Sequence, residues 1–193
     1  KTRMFRNLVV CFSCLLCLGI YHTVMRWYDR PCPSLVFYNV RGCPAIHCIA
    51  EDGTSWLNYA DTLSDKRRLQ AVAANYWRRH QLLPPIEVTA DCQNVDFCRH
   101  QQIVFYHGCR ICMVTDNRWR NKSAASPLFI NYMYLCKGYN GRLEELTGLF
   151  SPSCILLDAS LSDDRKQFFR EECKRLHLHF ITLSEEGSVR FLL

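Results

Sequence analysis

Residues 151–183, SPSCILLDASLSDDRKQFFREECKRLHLHFITL, decide the fold. Cys154–Leu157 is a short apolar run of the kind that forms a strand buried on both faces. Asp158-Ala159-Ser160 stands at its C-terminal edge, where α/β proteins place functional groups. Ser162 or Asp163 then caps a helix predicted over Asp163–Leu176, with Phe169, Cys173 and Leu176 on one stripe. Leu178–Leu183 is a second strand. Strand, helix and strand in about thirty residues make a crossover unit, with parallel neighbours covered by a helix.

Working outward, the same rhythm holds upstream. Leu128–Leu135 is predicted as a strand, Lys137–Gly141 as a glycine-containing loop, and Leu143–Phe150 as a short helix. Downstream, Gly187 turns the chain into Ser188–Leu193. The front of the chain reads differently. Ser34–Val40, Ala45–Ala50 and Ser55–Tyr59 are strand candidates separated by turns at Arg41-Gly42 and Gly53, an antiparallel meander. Leu63–His80 follows as a helix, with Leu69, Val72 and Tyr76 at helical spacing, and Pro84-Pro85 closes it. Ile86–Thr89, Ile103–Tyr106 and Arg110–Thr115 are strands, the last two joined by a tight His107-Gly108 turn. A meander followed by crossovers is an α/β layered plan. There is no internal repeat and no low-complexity stretch.

Ahead of this domain, Leu8–Met25 (LVVCFSCLLCLGIYHTVM) holds no formal charge at neutral pH. As a helix it spans roughly 27 Å against a hydrocarbon core of about 30 Å. Residues 8–25 are therefore expected to cross a membrane, with 1–7 as a cytoplasmic flank, 26–34 as a linker broken by Pro31 and Pro33, and 35–193 as the folded domain. Trp27 and Tyr28 stand where interfacial anchors belong. Lys1, Arg3 and Arg6 on one side, against Arg26 and Arg30 on the other, place the start inside and the domain outside the cytoplasm. A signal peptide would need a small-residue cleavage site before Pro31, which is not evident. A buried core helix is the remaining alternative. Because the chain starts at Lys1, it reads as a piece of a longer protein or a processed form.

Composition bounds the function. The chain has 193 residues, 49% of them hydrophobic, enough for one domain with its own core. The net charge of +6 is unevenly placed. Residues 1–34 carry five Lys/Arg and one Asp; residues 35–193 carry 19 Lys/Arg and 17 Asp/Glu, a surplus of only two. The domain as a whole thus lacks the strong basic balance of a dedicated nucleic-acid binder. Thirteen cysteines, an odd number without even spacing, do not describe a disulfide framework. Cys11, Cys14 and Cys17 lie in the apolar run, where a thiol acts as a small hydrophobe.

Four constellations could carry chemistry. Cys109-x2-Cys112 has zinc-knuckle spacing but no second pair, and residues three apart on a strand face opposite ways. His177-x-His179 could share a strand face and a metal; if His177 instead ends the preceding helix, that pairing fails. Asp116 and Asp158 each follow a strand, where an acid can bind a metal, orient a base or close a turn. Lys137-Gly138-Tyr139-Asn140-Gly141 could offer amides to an anion at a helix start, though it lacks the Gly-x4-Gly-Lys-Ser/Thr phosphate-loop pattern.

The order of the pieces carries a resemblance. Tyr38-Asn39-Val40-Arg41-Gly42 with Ala45-Ile46 is similar to the opening strand pair of the metallo-β-lactamase-like domain of ComEC-family competence proteins, where an Asp-Val-Gly-Gln-Gly-Asp-Ala type sequence stands. Gly108–Asp116 resembles that family's later strand ending in Gly-Asp. Ile130–Gly141 resembles the strand entering its His-His-Gly-Ser loop, and Ser151–Ser160 the next strand. The last helix, strand and Glu186-Gly187-Ser188 hairpin resemble the family's end. The likeness is greatest to the shortened form of Bacteroidetes-type bacteria. It covers about 155 residues in order. It implies a truncated metallo-β-lactamase-like layered α/β domain behind one transmembrane helix.

The departures bear on chemistry. The family's His-x-His-x-Asp-His string, which holds one or two metals and makes a hydroxide nucleophile, is missing. After Asp61 the chain is instead predicted as helix. Cys136-Lys137 replaces the His-His of the later loop, and of the family's metal ligands only Asp116 has a counterpart. No cofactor and no catalytic residue is therefore expected. The resemblance implies a bacterial inner-membrane protein, multi-pass at full length, that conducts single-stranded DNA during natural transformation. Its partners would be the strand, the bilayer, the rest of its own channel and other competence proteins. Candidate strand contacts are Arg41, Arg110, Arg118, Arg120, Lys122 and Lys137, with Trp119 and Tyr139 as stacking platforms. A metal-dependent nuclease degrading the other strand, and a purely structural or partner-docking module, are the alternatives.

Overall fold

The computed structural model describes residues 2–28, 32–59, 66–80 and 82–193. Lys1, Arg30, Pro31, Asp61 and the expected helix start at Leu63 lie outside the described residues, as do the side chains of Trp27 and Tyr28. Helix α1 spans Thr2–Tyr28. Its Phe5–Val24 window has a mean hydropathy of 1.8 and no part of it is buried. At 1.5 Å per residue, 20 residues cover roughly 30 Å, long and apolar enough to cross a membrane. No part of this window packs on the described domain, which counts against the buried-core alternative. Thr23, the hydroxyl residue near its end, donates to the Gly19 carbonyl at 2.8 Å and so brings no unpaired polar group to the helix.

The domain is two sheets face to face with helices outside. The first sheet holds β1 (Ser34–Phe37), β2 (Ala45–Ile49), β3 (Ser55–Tyr59), β4 (Ile86–Val88) and β12 (Val189–Leu192), in the order β12-β1-β2-β3-β4. The second holds β5 (Cys92–Gln93), β6 (Phe97–His100), β7 (Ile103–Tyr106), β8 (Cys109–Val114), β9 (Leu128–Leu135), β10 (Phe150–Leu157) and β11 (Phe180–Thr182), in the order β11-β10-β9-β8-β7-β6-β5. The meander is antiparallel as expected. The β8, β9, β10 and β11 neighbours are parallel, as the crossover reading requires.

Strand alternation sorts the side chains into three layers. Leu35, Phe37, Ile46, Cys48 and Trp56 of the first sheet meet Phe97, Tyr106, Ile111, Met113, Tyr134 and Leu156 of the second. Phe37 touches the rings of Tyr132, Tyr134 and Phe191, and Trp56 stacks on Phe97 at 5.5 Å. Each such buried side chain contributes roughly 1.5–3 kcal/mol. Outside the first sheet, α2 (Lys66–Arg79) covers Val36, Ala45 and Leu57 with Leu69 and Ala73. Outside the second, α3 (Leu143–Thr147) and α4 (Asp163–Arg175) cover Val114, Met133 and Ile155. A short α5 (Leu183–Glu186) leads into β12, which returns to the first sheet beside β1.

Several element bounds differ from expectation for physical reasons. β1 ends at Phe37, and residues 38–44 form a wide connection closed by Cys43 N–H donating to the Val40 carbonyl at 3.0 Å. On α2 the buried stripe is Leu69 and Ala73; Val72, expected inside, is 56% exposed. The helix predicted to Phe150 ends at Thr147, because Phe150 already begins β10 opposite Leu128. β5 and β6 were not expected from their polar composition; Phe97 anchors them by stacking on Trp56. The His107-Gly108 turn is as predicted, both residues having positive φ (45° and 76°).

Candidate functional site

Parallel strands place their C-terminal ends together, and here they meet the β1–β2 connection. The residues just past β8, β9 and β10 form, with Gly42 and Pro44, a cleft of about 500 Å³. Thr115 and Asp116 come from β8, Cys136, Lys137 and Gly138 from β9, and Ser160 from β10. The three strand ends are stitched by the backbone: Cys136 N–H donates to the Val114 carbonyl, and Asp158 N–H to that of Leu135, both at 3.0 Å. Gly138, at φ +115°, lies so close that a Cβ there would stand 2.2 Å from the Thr115 carbonyl oxygen. That position requires glycine.

The acidic and thiol groups are already committed. Asp116 shares the Arg118 Nε–H between its two oxygens at 3.0 Å and accepts from Arg118 Nη2 at 2.8 Å and from the Arg118 amide at 2.9 Å. Partial burial works to raise its pKa, but the Arg118 bonds prevail and hold the carboxyl below its ordinary value. Asp158 is fully buried; it accepts from the Tyr134 hydroxyl and, at 2.7 Å, from the Ser160 amide. Burial pushes Asp158 up against the pull of those bonds. Burial, then the neighbouring Asp158 and Cys112, lift the Cys136 thiol well above its ordinary value, so it stays protonated and poorly nucleophilic.

The divalent metal held by the enzymes of the resembled family does not fit these residues. Asp116 is spent on Arg118, Asp158 is turned into the core, Cys136 is a neutral thiol, and the Lys137 ammonium lines the same cleft. Among the described residues no group of three or more His, Cys, Asp and Glu side chains could hold a metal ion. Cys109 and Cys112 face opposite layers, the first packing toward the inter-sheet core and the second among the residues under α4. His177 is not on a strand: it follows α4 in the left-handed conformation, at φ 54°.

The arrangement suits an anion better. Lys137 is exposed at the cleft, and Arg41 is exposed one residue from Gly42. Arg41 also lines a neighbouring cavity of about 360 Å³ with Asn39, Ser162, Asp163 and Lys166, the last two ion-paired at 3.1 Å. Ser160 Oγ accepts from the Lys137 amide at 3.1 Å, and the same side chain is hydrogen-bonded to the buried Asp158 carboxyl. Two of the amides of the Lys137–Gly141 loop are spent within the protein, the first being that of Lys137 on Ser160. The Asn140 amide donates to Asn117 Oδ1 at 2.8 Å, and Leu143 at the start of α3 donates to the buried Glu172 at 2.6 Å. These bonds count against an anion cradle at Lys137–Gly141 without involving the amides of Gly138, Tyr139 and Gly141.

The candidate strand contacts divide. Lys137 lines the cleft, Arg41 lies next to its Gly42 and lines the second cavity, and Arg118 is paired with the cleft's Asp116. Arg120 pairs with Glu145 at 3.3 Å, and the Lys122 ammonium lies 5.4 Å from the Trp119 ring centroid. Trp119 is half-buried, edge-on to Phe150, its Nε1 donating to Gln102 at 2.6 Å. Arg110 is at the other end of β8, over the Phe105 ring at 5.9 Å, and does not join the cleft. Tyr139 requires a correction: it is 1% exposed, stacks on Phe169 and donates to the Arg142 carbonyl at 2.7 Å, so no face is free for a base. Two supporting residues escaped sequence reasoning. Buried Gln102 donates to Thr115 Oγ1 at 2.6 Å, and Arg165 donates to the Tyr139 and Gly141 carbonyls at 3.1 and 3.0 Å. Their partners are 13 to 26 positions away, beyond any local spacing signal.

Residues 35–193 match the family model described as the ComEC C-terminal domain. No curated protein and no solved structure matches the chain.

Proposed function

From the premise that this chain belongs to the ComEC C-terminal domain family, a membrane-associated family with a role in competence and DNA uptake, we propose that its domain is a non-catalytic guide for single-stranded DNA. The domain is held at the bacterial inner membrane by α1, on the extracytoplasmic side. The cleft at the ends of β8, β9 and β10 touches the phosphate backbone. The observation that carries this reading is the exchange of charge at the cleft. Where a hydrolase needs converging carboxylates and imidazoles, this cleft shows an exposed Lys137, a neighbouring Arg41 and a carboxylate already neutralised by Arg118.

Lys137 and Arg41 act as point charges toward phosphates. Such contacts carry no base information, as transport of any sequence requires. With only two net positive charges over residues 35–193, the grip is weak and local. A strand can then slide rather than stall.

The test is a filter-binding series with a labelled oligothymidylate and the full chain in lipid nanodiscs, run against salt. Binding that weakens with salt, with a slope reduced by about one unit in Lys137→Ala, supports strand contact. Absence of binding at low salt would leave a structural or partner-docking module instead. Strand cleavage that is lost on chelation would restore the nuclease reading.

A further inference from the structure

The two ends of the sandwich differ in chemistry. At one end lies the cleft. At the other, β1, β3 and β4 begin in the first sheet, and β8, β9 and β10 begin in the second. Large apolar side chains are exposed at this second end. From the first sheet and the connection into β4 come Leu83, Ile86 and Leu192, at 54, 53 and 68% exposure. From the second come Phe105, Leu128 and Phe129, at 38, 40 and 51%. Apart from Val72 on α2, every strongly exposed Val, Leu, Ile or Phe among the described residues of 35–193 lies at this end. An apolar surface concentrated at one pole of a water-facing domain marks a contact.

The chain itself says what that contact is. α1 ends at Tyr28 and β1 begins at Ser34. Six Cα steps of at most about 3.6 Å hold the start of β1 within roughly 22 Å of the helix end. β1 starts at this apolar pole: Ser34 pairs with Leu192 and Ile49, and the Leu193 amide donates to the Pro33 carbonyl at 2.9 Å. The apolar pole is therefore the part of the domain tethered nearest to the end of the apolar helix.

We propose that this pole rests on the lipid bilayer beside α1, its exposed Leu, Ile and Phe side chains entering the headgroup boundary. The inference rests on α1 being a membrane span and is independent of the strand-guiding role. Its apolar residues come from the strand ends of both sheets, which suits a broad fluid surface. Glu51, Asp52 and Asp96 are exposed at the same pole, so zwitterionic headgroups fit it better than anionic ones. One consequence follows for the cleft. β9 runs eight residues from Leu128 to Leu135, so the cleft opens roughly 26 Å above the membrane-facing pole. DNA held there would be outboard of the bilayer.

The experiment is site-specific photo-crosslinking of the full chain in phosphatidylcholine nanodiscs containing a radiolabelled lipid. Benzoylphenylalanine replaces Phe129, Leu192, Asn140 at the cleft end, or Leu16 within α1, one at a time. Lipid adducts at 129 and 192 approaching those at 16, and several-fold above those at 140, are expected. Adducts at 129 and 192 no greater than at 140, with position 16 labelled, would overturn the docking while leaving the span intact. Failure at position 16 would remove the span and the proposal with it. Crosslinks from 129 and 192 to protein in place of lipid would show that the pole faces another polypeptide, which also overturns it.

Discussion

At the residue scale, Gly138 and His47 show how single positions carry the site and the fold. Gly138 brings the β9 loop against the Thr115 carbonyl, with no room for a methyl group. Gly42, also at positive φ (85°), has open space around it. Gly138→Ala is expected to cost about 2–3 kcal/mol and Gly42→Ala about 1 kcal/mol, the first from strain plus collision, the second from strain alone. Urea titrations of the full chain in detergent, followed by tryptophan fluorescence, measure both; equal losses would refute the close approach. His47 sits fully buried on the outer face of β2. Trp77 Nε1 donates to the Tyr38 hydroxyl at 2.9 Å, and that hydroxyl is hydrogen-bonded to His47 Nδ1 at 2.8 Å. Burial lowers His47 from 6.5 to about 3. Between those values the unfolded chain holds a proton that the folded chain refuses. Stability is thus complete above pH 6.5 and falls as pH drops toward 3, by at most about 1.4 kcal/mol per pH unit. His47→Asn keeps an acceptor for Tyr38 without the titration. The stability of the native chain should fall relative to His47→Asn between pH 7 and 5; parallel profiles would refute the assignment.

At the element scale, the end of α4 explains why one sequence signal misleads. The His177 amide donates to the Lys174 carbonyl at 3.3 Å and the Leu178 amide to that of Cys173 at 2.9 Å. These paired bonds close a helix with the following residue left-handed, a place where glycine is favoured. His177→Gly is expected to stabilise the chain by about 0.5–1 kcal/mol, read as a raised urea midpoint. A drop would mean that the imidazole makes a contact worth more than the strain. The same comparison shows what was legible in one dimension. The Leu128–Leu135 strand and the Asp163 start of α4 follow from β-branched and aromatic runs, caps and helical spacing, which are local. The extent of β10 was not legible, because Phe150-Ser151-Pro152 becomes strand only by pairing with Leu128, Phe129 and Ile130. Tyr139 was misread for the same reason. A tyrosine beside glycines looks like a loop tip until Phe169, 30 positions later, closes over its ring. Asp116 and Lys137 were legible as strand-end residues, yet their roles depend on Arg118 and Ser160, whose orientation is set by tertiary structure.

At the scale of the whole molecule, the sign of the charge at each pole matters more than the total. The domain's surplus of two cations would produce only a weak, diffuse attraction for a nucleic acid. Arg41 and Lys137 add something local, because both stand at the cleft end, whereas Arg110 stands near the apolar pole and packs on Phe105. Replacing Lys137 or Arg110 by glutamate changes the net charge by the same amount, so a molecule that attracts DNA only through its overall field would respond equally to both. A localised grip would not. The separation between the two ends, roughly 26 Å along β9, exceeds the Debye length of about 8 Å at physiological ionic strength. Lys137→Glu is therefore expected to weaken oligothymidylate binding about ten-fold, about 1.4 kcal/mol, while Arg110→Glu stays within about two-fold. Unchanged circular dichroism in both variants secures the comparison. Equal effects would assign the attraction to net charge, and a larger effect of Arg110→Glu would move the strand to the pole that the tether holds against the membrane.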